Sequence, residues 1–184
     1  MRSLIRGLPR LAFGGVPAER AGDIRLACAR LRVKPSRVQL RSADFEDGGE
    51  LPLACTADGA GTPPRLSWTG VPKGARSLAL LVEDPDAPTP YPFVHWIVYD
   101  IPPHAGSIGA AVTAGARVGR NSMMRSSWAP CAPPRGDTPH RYIFQLFALD
   151  QSAQLSGHAG RAAVIEEMAG HVIGFGALVG TWRR

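Results

Sequence analysis

Three long, nearly continuous apolar runs limit what this chain can fold into. They are SLALLVED at 77–84, FVHWIVYD at 93–100 and RYIFQLFALD at 141–150. Runs of this length and composition, rich in β-branched and aromatic residues, are typical of central β-strands that are covered on both faces. The chain must therefore supply further elements to cover both faces of a sheet.

Shorter patterns predict those further elements. Alternating apolar residues predict strands within 36–42 and 65–72, and FGALVGTW at 175–182 predicts a final strand. Apolar residues at helical spacing predict a helix between His158 and Val172, and a short helix is predicted near Ile24–Leu31. The sequence thus predicts a mainly β protein with two packed sheets and one or two helices.

Charge divides the chain into two parts. The chain has 184 residues, the size of one domain, and residues 1–41 contain ten basic residues against two acidic ones. We predict an Arg-rich leader at 1–34, variable or partly disordered, and a single domain at 35–184. A basic leader can contact nucleic acid or an anionic membrane, but no basic run with interleaved aromatic residues occurs. No specific nucleic-acid partner is therefore predicted.

Several features predict a cytoplasmic protein. No apolar run reaches the roughly 18 residues that a transmembrane helix needs. Arg6 and Arg10 interrupt the apolar core that a secretory signal would require. Cys28, Cys55 and Cys131 are odd in number and lack metal-site or redox spacing, so reduced thiols are predicted. One disulfide that leaves one free thiol is the alternative.

A histidine and two aspartates mark the first polar cluster. By strand alternation His95 shares a face with Ile97 and Tyr99, so its ring should be buried among apolar side chains and need a partner for each nitrogen. Asp84 and Asp86 end the preceding strand, and we predict that Asp84 orients an imidazole. The alternative is that each aspartate closes an Asx-turn by bonding nearby amides.

A second polar cluster precedes the strand at 141–150. His140, Tyr142 and Phe144 should share a face, so an imidazole and a phenol can line one pocket. Protonated imidazoles and a hydroxyl are suitable donors for a phosphate, sulfate or carboxylate. We predict no cofactor, no metal and no catalytic residue, although His95, His140 and Asp84 could also bind iron or zinc.

Together the motifs DPDAP (84–88), HW (95–96) and PPRG…HRYIF (133–144) resemble the phosphatidylethanolamine-binding protein family, in its bacterial Raf-kinase-inhibitor-like branch. The resemblance covers about Ser36 to Trp182. It implies a large antiparallel sheet packed on a smaller one, one or two helices near the C-terminus, a small anion pocket, a cis Ala87–Pro88 bond and a homodimer. By motif it implies ligand-binding roles for Asp84, Asp86, Pro88, His95, Ala132, Pro133, His140 and Tyr142.

The chain departs from its relatives at SSWAPCAPPRG (126–136), where they usually carry a glycine-rich stretch. Pro130 has no N–H to offer an anion, so a tighter pocket mouth or a weaker affinity is predicted.

Three functions follow from these patterns. The leading hypothesis is a regulatory protein that binds a small anionic ligand, such as phosphate or a phosphorylated or phospholipid head-group-like molecule. The first alternative is a weak hydrolase of small esters. Against this alternative, the chain has no G-x-S-x-G motif, and Cys131 is its only candidate nucleophile. The second is a protein-kinase-inhibitor-like module with a protein partner, which rests on analogy alone.

Overall fold

The computed structural model describes residues 25–33, 36–155 and 157–184. Within them the chain forms two antiparallel sheets and two α-helices, as the sequence predicts. Most of the predicted leader (1–24 and residue 34) lies outside the described residues, and so does the predicted domain start at 35. The boundary between leader and domain stays a prediction. Neither helix in the described residues is long and apolar enough to span a membrane.

The large sheet is built around the three apolar runs. In spatial order its strands are β6 (Arg117–Val118), β4 (Phe93–Ile101), β3 (Ser77–Asp84), β7 (His140–Leu149) and β8 (Val172–Trp182). The runs form the three central strands, and every residue of β3 and β7 is buried. The prediction of central strands covered on both faces is confirmed.

A smaller sheet and two helices cover the large sheet. The small sheet has the order β1 (Gln39–Ser42), β2 (Leu66–Thr69) and β5 (Ser107–Ile108). A 3₁₀ turn spans Leu53–Cys55, and the helices are α1 (Ala27–Arg30) and α2 (Arg161–Met168). Helix α2 is shorter than predicted because Gly170 adopts a φ of 85° and Val172 already begins β8.

Two hydrophobic clusters lie on opposite faces of the large sheet. On the face that meets the small sheet, here called the sandwich face, Leu80, Val82 and Phe144 pack with Leu40 and Trp68. The other face, here called the helix face, packs against both helices through the apolar residues of the second cluster, among them Ala79, Leu81, Ile143 and Phe147. Because side chains alternate along each strand, neighbouring residues face different surroundings.

Strand β8 carries glycine where other segments cross the sandwich face. A Cβ at Gly180 would lie 2.4 Å from Cδ2 of Leu51, and a Cβ at Gly176 would lie 2.7 Å from the carbonyl oxygen of Val38. These glycines let the segments that contain Val38 and Leu51 pack closely against β8.

A buried polar network holds α1 on the helix face. Glu83 is completely buried and accepts hydrogen bonds from the amide of Ala27 at 2.8 Å and from Nε2 of Gln145 at 2.6 Å. Gln145 Oε1 accepts from the amide of Cys28, and Arg161 forms an ion pair with Glu83. The described part of the predicted leader is therefore packed against the sheet.

Candidate functional site

A β-bulge changes the direction of His95. Val82 of β3 pairs with Trp96 of β4, but the next residue, Glu83, pairs with Val94. Two residues of β4 therefore span one step of β3, and His95 is the extra residue. Bulges redirect side chains and are frequent beside functional sites.

The bulge overturns one prediction. Ile97 and Tyr99 pack on the helix face, whereas the His95 ring contacts two members of the sandwich-face cluster. Its centroid lies 5.8 Å from that of Trp128 and 5.0 Å from that of Tyr142. The prediction that His95 shares a face with Ile97 and Tyr99 is wrong, because simple alternation does not allow for an inserted residue. The same bulge brings His95 to Tyr142.

His95 is held as a neutral ring. Its side chain is buried, and burial lowers its pKa to about 4, although the carbonyl of Ala129 opposes this shift. The ring Nδ1 lies 2.7 Å from that carbonyl oxygen. Since a carbonyl only accepts, Nδ1 carries the hydrogen and Nε2 carries a lone pair. At neutral pH, Nε2 of His95 can therefore accept a hydrogen bond from a ligand. The sequence had suggested that a protonated His95 would donate one.

His140 and Asp84 form a buried pair on the sandwich face. Nδ1 of His140 lies 2.8 Å from Oδ2 of Asp84, and the two side chains are 2% and 5% exposed. Burial acts to lower the pKa of His140, but the hydrogen bond and charge of Asp84, with help from Asp137, raise it overall. Burial raises the pKa of Asp84, against the opposing effect of His140.

Asp84 also closes the turn after β3. Its second oxygen, Oδ1, accepts from the amides of Asp86 at 2.8 Å and Ala87 at 3.0 Å. The two readings of Asp84, Asx-turn and orienting group, are thus both present in one side chain. Because Oδ1 of Asp84 is held by the amides of the turn, Oδ2 is positioned to orient the imidazole of His140.

Asp137 was not singled out in the sequence. Its Oδ2 lies 3.4 Å from Nε2 of His140, and its side chain is 47% exposed. The hydrogen bond from the amide of Thr138 lowers the pKa of Asp137, so this carboxylate is ionised near neutral pH. The sequence signal that could have identified Asp137 is its position, three residues before His140.

Asp86 faces a different partner. Arg141 alternates with His140 and Tyr142 along β7, and its guanidinium pairs with Asp86 through Nε–Oδ2 and Nη2–Oδ1 contacts of 2.8 Å each. The amide of Arg141 also donates to Asp86 Oδ2 at 3.0 Å. Asp86 thus anchors the start of β7. Its predicted contact with a ligand remains a prediction.

Tyr142 contributes a buried hydroxyl. Its ring meets His95 edge-on at 74°, and within the described residues its oxygen has no hydrogen-bond partner. Burial raises the pKa of Tyr142, and the nearby thiol of Cys131 adds to this effect without forming a geometric hydrogen bond. Buried polar atoms without a partner are rare and mark a place where a partner can bind.

Cys131 lies next to this hydroxyl and is itself buried. Burial raises the pKa of its thiol well above the ordinary value. Because the thiolate is the reactive species, this environment disfavours nucleophilic attack by Cys131.

The remaining predicted residues belong to the two segments that carry this site. Pro88 is exposed in the turn after β3, and Ala132 (exposed) and Pro133 (buried) follow Cys131. No cis peptide bond occurs among the described residues, so the implied cis Ala87–Pro88 bond is wrong. The turn closes instead through the Asp84 carboxylate.

The described residues contain no group of three or more His, Cys, Asp or Glu side chains arranged to hold a metal ion. In the candidate site, Nδ1 of each histidine already has a protein partner, Ala129 for His95 and Asp84 for His140. The candidate site consists of Asp84, His95, His140 and Tyr142.

Comparison with known proteins gives consistent matches. The family model described as phosphatidylethanolamine-binding protein matches residues 41–183. A UPF0098 protein of Methanothermobacter thermautotrophicus is 38% identical over 151 residues, covering 80% of this chain and 99% of that protein.

Solved structures agree with this match. The crystal structure of CT736 from Chlamydia trachomatis, described as a homologue of phosphatidylethanolamine-binding proteins, has a TM-score of 0.75 and 34% identity, covering 80% of this chain and 97% of that one. Escherichia coli YbcL, described as a new member of the mammalian family, has a TM-score of 0.77 and 28% identity, covering 81% and 99%.

Proposed function

Because the chain belongs to the phosphatidylethanolamine-binding protein family, we propose that it binds a small phosphate-bearing ligand between His95, His140 and Tyr142. The buried Tyr142 hydroxyl carries this proposal. It lacks a hydrogen-bond partner within the described residues and lies beside the imidazole of His95. A ligand oxygen would satisfy it.

The three side chains offer different hydrogen-bonding groups. Protonated His140 has an Nε2–H donor that makes one long contact, of 3.4 Å, with Oδ2 of the half-exposed Asp137. Neutral His95 has an Nε2 acceptor, and Tyr142 can donate or accept. A monoprotonated phosphate or phosphate ester matches this set, since it presents both acceptor oxygens and one O–H. Sulfate, which has no proton near neutral pH, matches it less well.

Asp137 is the competitor that such a ligand must displace. Its carboxylate lies on the same nitrogen of His140 that an anion would contact, and it is half-exposed in the loop before β7. An incoming phosphate exchanges one anion for another at His140. A hydrogen bond in which the donor or the acceptor is charged is stronger than one between neutral groups, so both anions can bind His140 well.

On the basis of family membership we also propose a regulatory role, a cytoplasmic location and a homodimer. Light scattering on the purified full chain tests the dimer directly. The kinase-inhibitor-like and hydrolase alternatives have no specific observation in their favour.

Calorimetric titration with inorganic phosphate and phosphoethanolamine tests the ligand. His140→Ala should weaken phosphate binding about tenfold or more, because it removes a charge-assisted donor. The matched control is His171→Ala, which removes a histidine that pairs with Asp150 at 2.9 Å on the surface. That control should stay within about twofold of wild type. Equal affinity in the wild type and the His140→Ala variant contradicts the proposal, as does a preference for sulfate.

A further inference from the structure

A cavity separate from the candidate site lies on the helix face of the molecule. It is a groove of about 910 Å³ between the end of α1, the segment before β4, residues 120–124 and α2. None of the four candidate-site residues lines it. Small-molecule sites in proteins are typically about 300–1,000 Å³, so this groove has the size of a small-molecule site.

Basic residues outnumber acidic ones in the groove. Arg30, Arg32, Arg120 and Arg161 line it, against a single acidic residue, Glu166. Arg161 is neutralised by the buried Glu83. In the part of the chain that the structure describes, Arg30, Arg32 and Arg120 are exposed and form no ion pair. A concave surface lined by one sign of charge concentrates ligands of the opposite sign.

Apolar side chains form another part of the groove. Tyr91 and Met124 line it and are 65% and 68% exposed, and Val94 and Ile165 lie among the lining residues. The guanidinium of Arg25 lies 5.7 Å from the centre of the Tyr91 ring. Large exposed apolar side chains grouped beside cations mark a binding surface with an organic partner.

The start of α2 adds backbone donors to the same groove. Gly160 and Ala162 line it, and no side chain caps this end of the helix. Amides at a helix start favour anions. These amides would add to the attraction that the arginines exert on an anion.

We propose that the groove binds an organic phosphate of small-molecule size, with its phosphate oxygens on Arg30, Arg32 and Arg120 and its aromatic or apolar part on Tyr91 and Met124. Arginine forks pair with phosphate oxygens through two hydrogen bonds at once. The concave shape and its volume fit a small molecule better than a flat lipid surface. This site is separate from the histidine site and goes beyond its proposed function.

Titration of the full chain with ADP, without magnesium, tests the groove. Arg30→Gln combined with Arg120→Gln should lower ADP affinity about tenfold or more, since each loses a charge-assisted contact. The matched control combines Arg37→Gln with Arg183→Gln, which removes the same net charge from exposed positions outside the groove. It should change the affinity less than about twofold.

Any of three results overturns the proposal. The first is an equal loss in the groove variant and the control, which would reflect net charge alone. The second is no heat of ADP binding to the wild-type chain at millimolar concentration. The third is ADP binding that is lost in His140→Ala and retained in the groove variant, which would assign ADP to the histidine site. Inorganic phosphate separates the two proposals. If its binding is weakened in His140→Ala but unchanged in the groove variant, the proposal for the histidine site holds, and a failed ADP titration counts against the groove alone.

The organic part of the ligand is tested at Tyr91. Tyr91→Ala should lower the affinity for ADP several-fold and leave the affinity for pyrophosphate unchanged, because base–aromatic stacking contributes only to the nucleotide. Equal losses for both ligands, or equal wild-type affinities for ADP and pyrophosphate, contradict the assignment of an organic ligand.

Discussion

The two faces of the large sheet use neighbouring carboxylates in different ways. Glu83 and Asp84 are consecutive on β3 and point to opposite faces. On the helix face Glu83 pairs with Arg161, whereas on the sandwich face Asp84 pairs with His140. A guanidinium stays charged at any pH that a protein experiences, but an imidazole changes its charge near neutral pH.

The partner therefore decides what a buried carboxylate can do. Glu83 and Arg161, like Asp86 and Arg141, are carboxylate–guanidinium ion pairs, and these pairs hold α1 and the start of β7 in place. Asp84 and His140 form a pair whose proton count can change with pH or with a bound anion. Changes on the helix face should thus unfold the protein, and changes on the sandwich face should alter titration and binding.

The largest expected effect is on the helix face. Glu83→Ala leaves Arg161 and the amide of Ala27 without their buried partner, so the free energy of unfolding should fall by about 3–5 kcal/mol. Urea unfolding monitored by circular dichroism measures this loss. The control is Glu166→Ala on exposed helix surface, which should stay within about 0.5 kcal/mol of wild type. A loss below about 1 kcal/mol for Glu83→Ala would contradict the structural role of the network.

The next effect is the acid sensitivity that His95 confers. The unfolded chain takes up a proton near pH 6.5, whereas the folded chain resists it down to a pKa of about 4. His95 therefore contributes stability above pH 6.5 that is lost as the pH falls toward 4, on the order of 3 kcal/mol in all. His95→Gln should flatten this part of the profile of unfolding free energy against pH. Parallel profiles for the two proteins would contradict the buried, neutral ring.

The opposite sign applies to His140. Because its folded pKa is raised, its stabilisation is fully present below pH 6.5 and is lost as the pH rises through the folded pKa. The two histidines can thus be separated by the direction of the pH effect.

Much of the fold could be predicted from the sequence. The three apolar runs became β4, β3 and β7 within one residue of the predicted bounds at each end. Their hydrophobic pattern is strong because both faces are buried. Strands β5 and β6 were missed, since two residues each carry no detectable period.

The candidate site was predictable in part. His140 and Tyr142 share a face as alternation requires. That Asp84 orients an imidazole was also predictable, but the sequence placed Asp84 beside His95, whereas the structure pairs it with His140. The position of His95 did not, because a bulge depends on the pairing of two strands and leaves no local signal. An ion pair of Arg141 could be predicted from the sequence, because a charged residue inside an apolar strand needs a counter-charge.

The comparison of the two faces is sharpened by two aspartate substitutions. Asp84→Asn removes a charge that helps to hold a proton on His140, so the pKa of His140 should fall as the effect of burial gains weight. Asp86→Asn is the control, because the Asp86 carboxylate pairs with Arg141. It should leave the pKa of His140 nearly unchanged while it destabilises the pair with Arg141. Proton NMR titration of the imidazole measures both. Equal shifts in the two variants would contradict the separation of the faces.

The smallest expected effect is at Asp137, and it concerns the anion itself. Asp137→Asn removes a carboxylate that lies 3.4 Å from Nε2 of His140 and competes with any ligand there. The affinity for inorganic phosphate at pH 6 should rise about two- to fivefold, and the gain should shrink at high salt because the group is half-exposed. At pH 8 the gain should be smaller, since Asp137 also helps to keep His140 protonated. Asp150→Asn, beside the surface histidine His171, is the matched control and should change nothing. A lower phosphate affinity in Asp137→Asn at pH 6 would instead mean that Asp137 acts mainly by holding the imidazole in place.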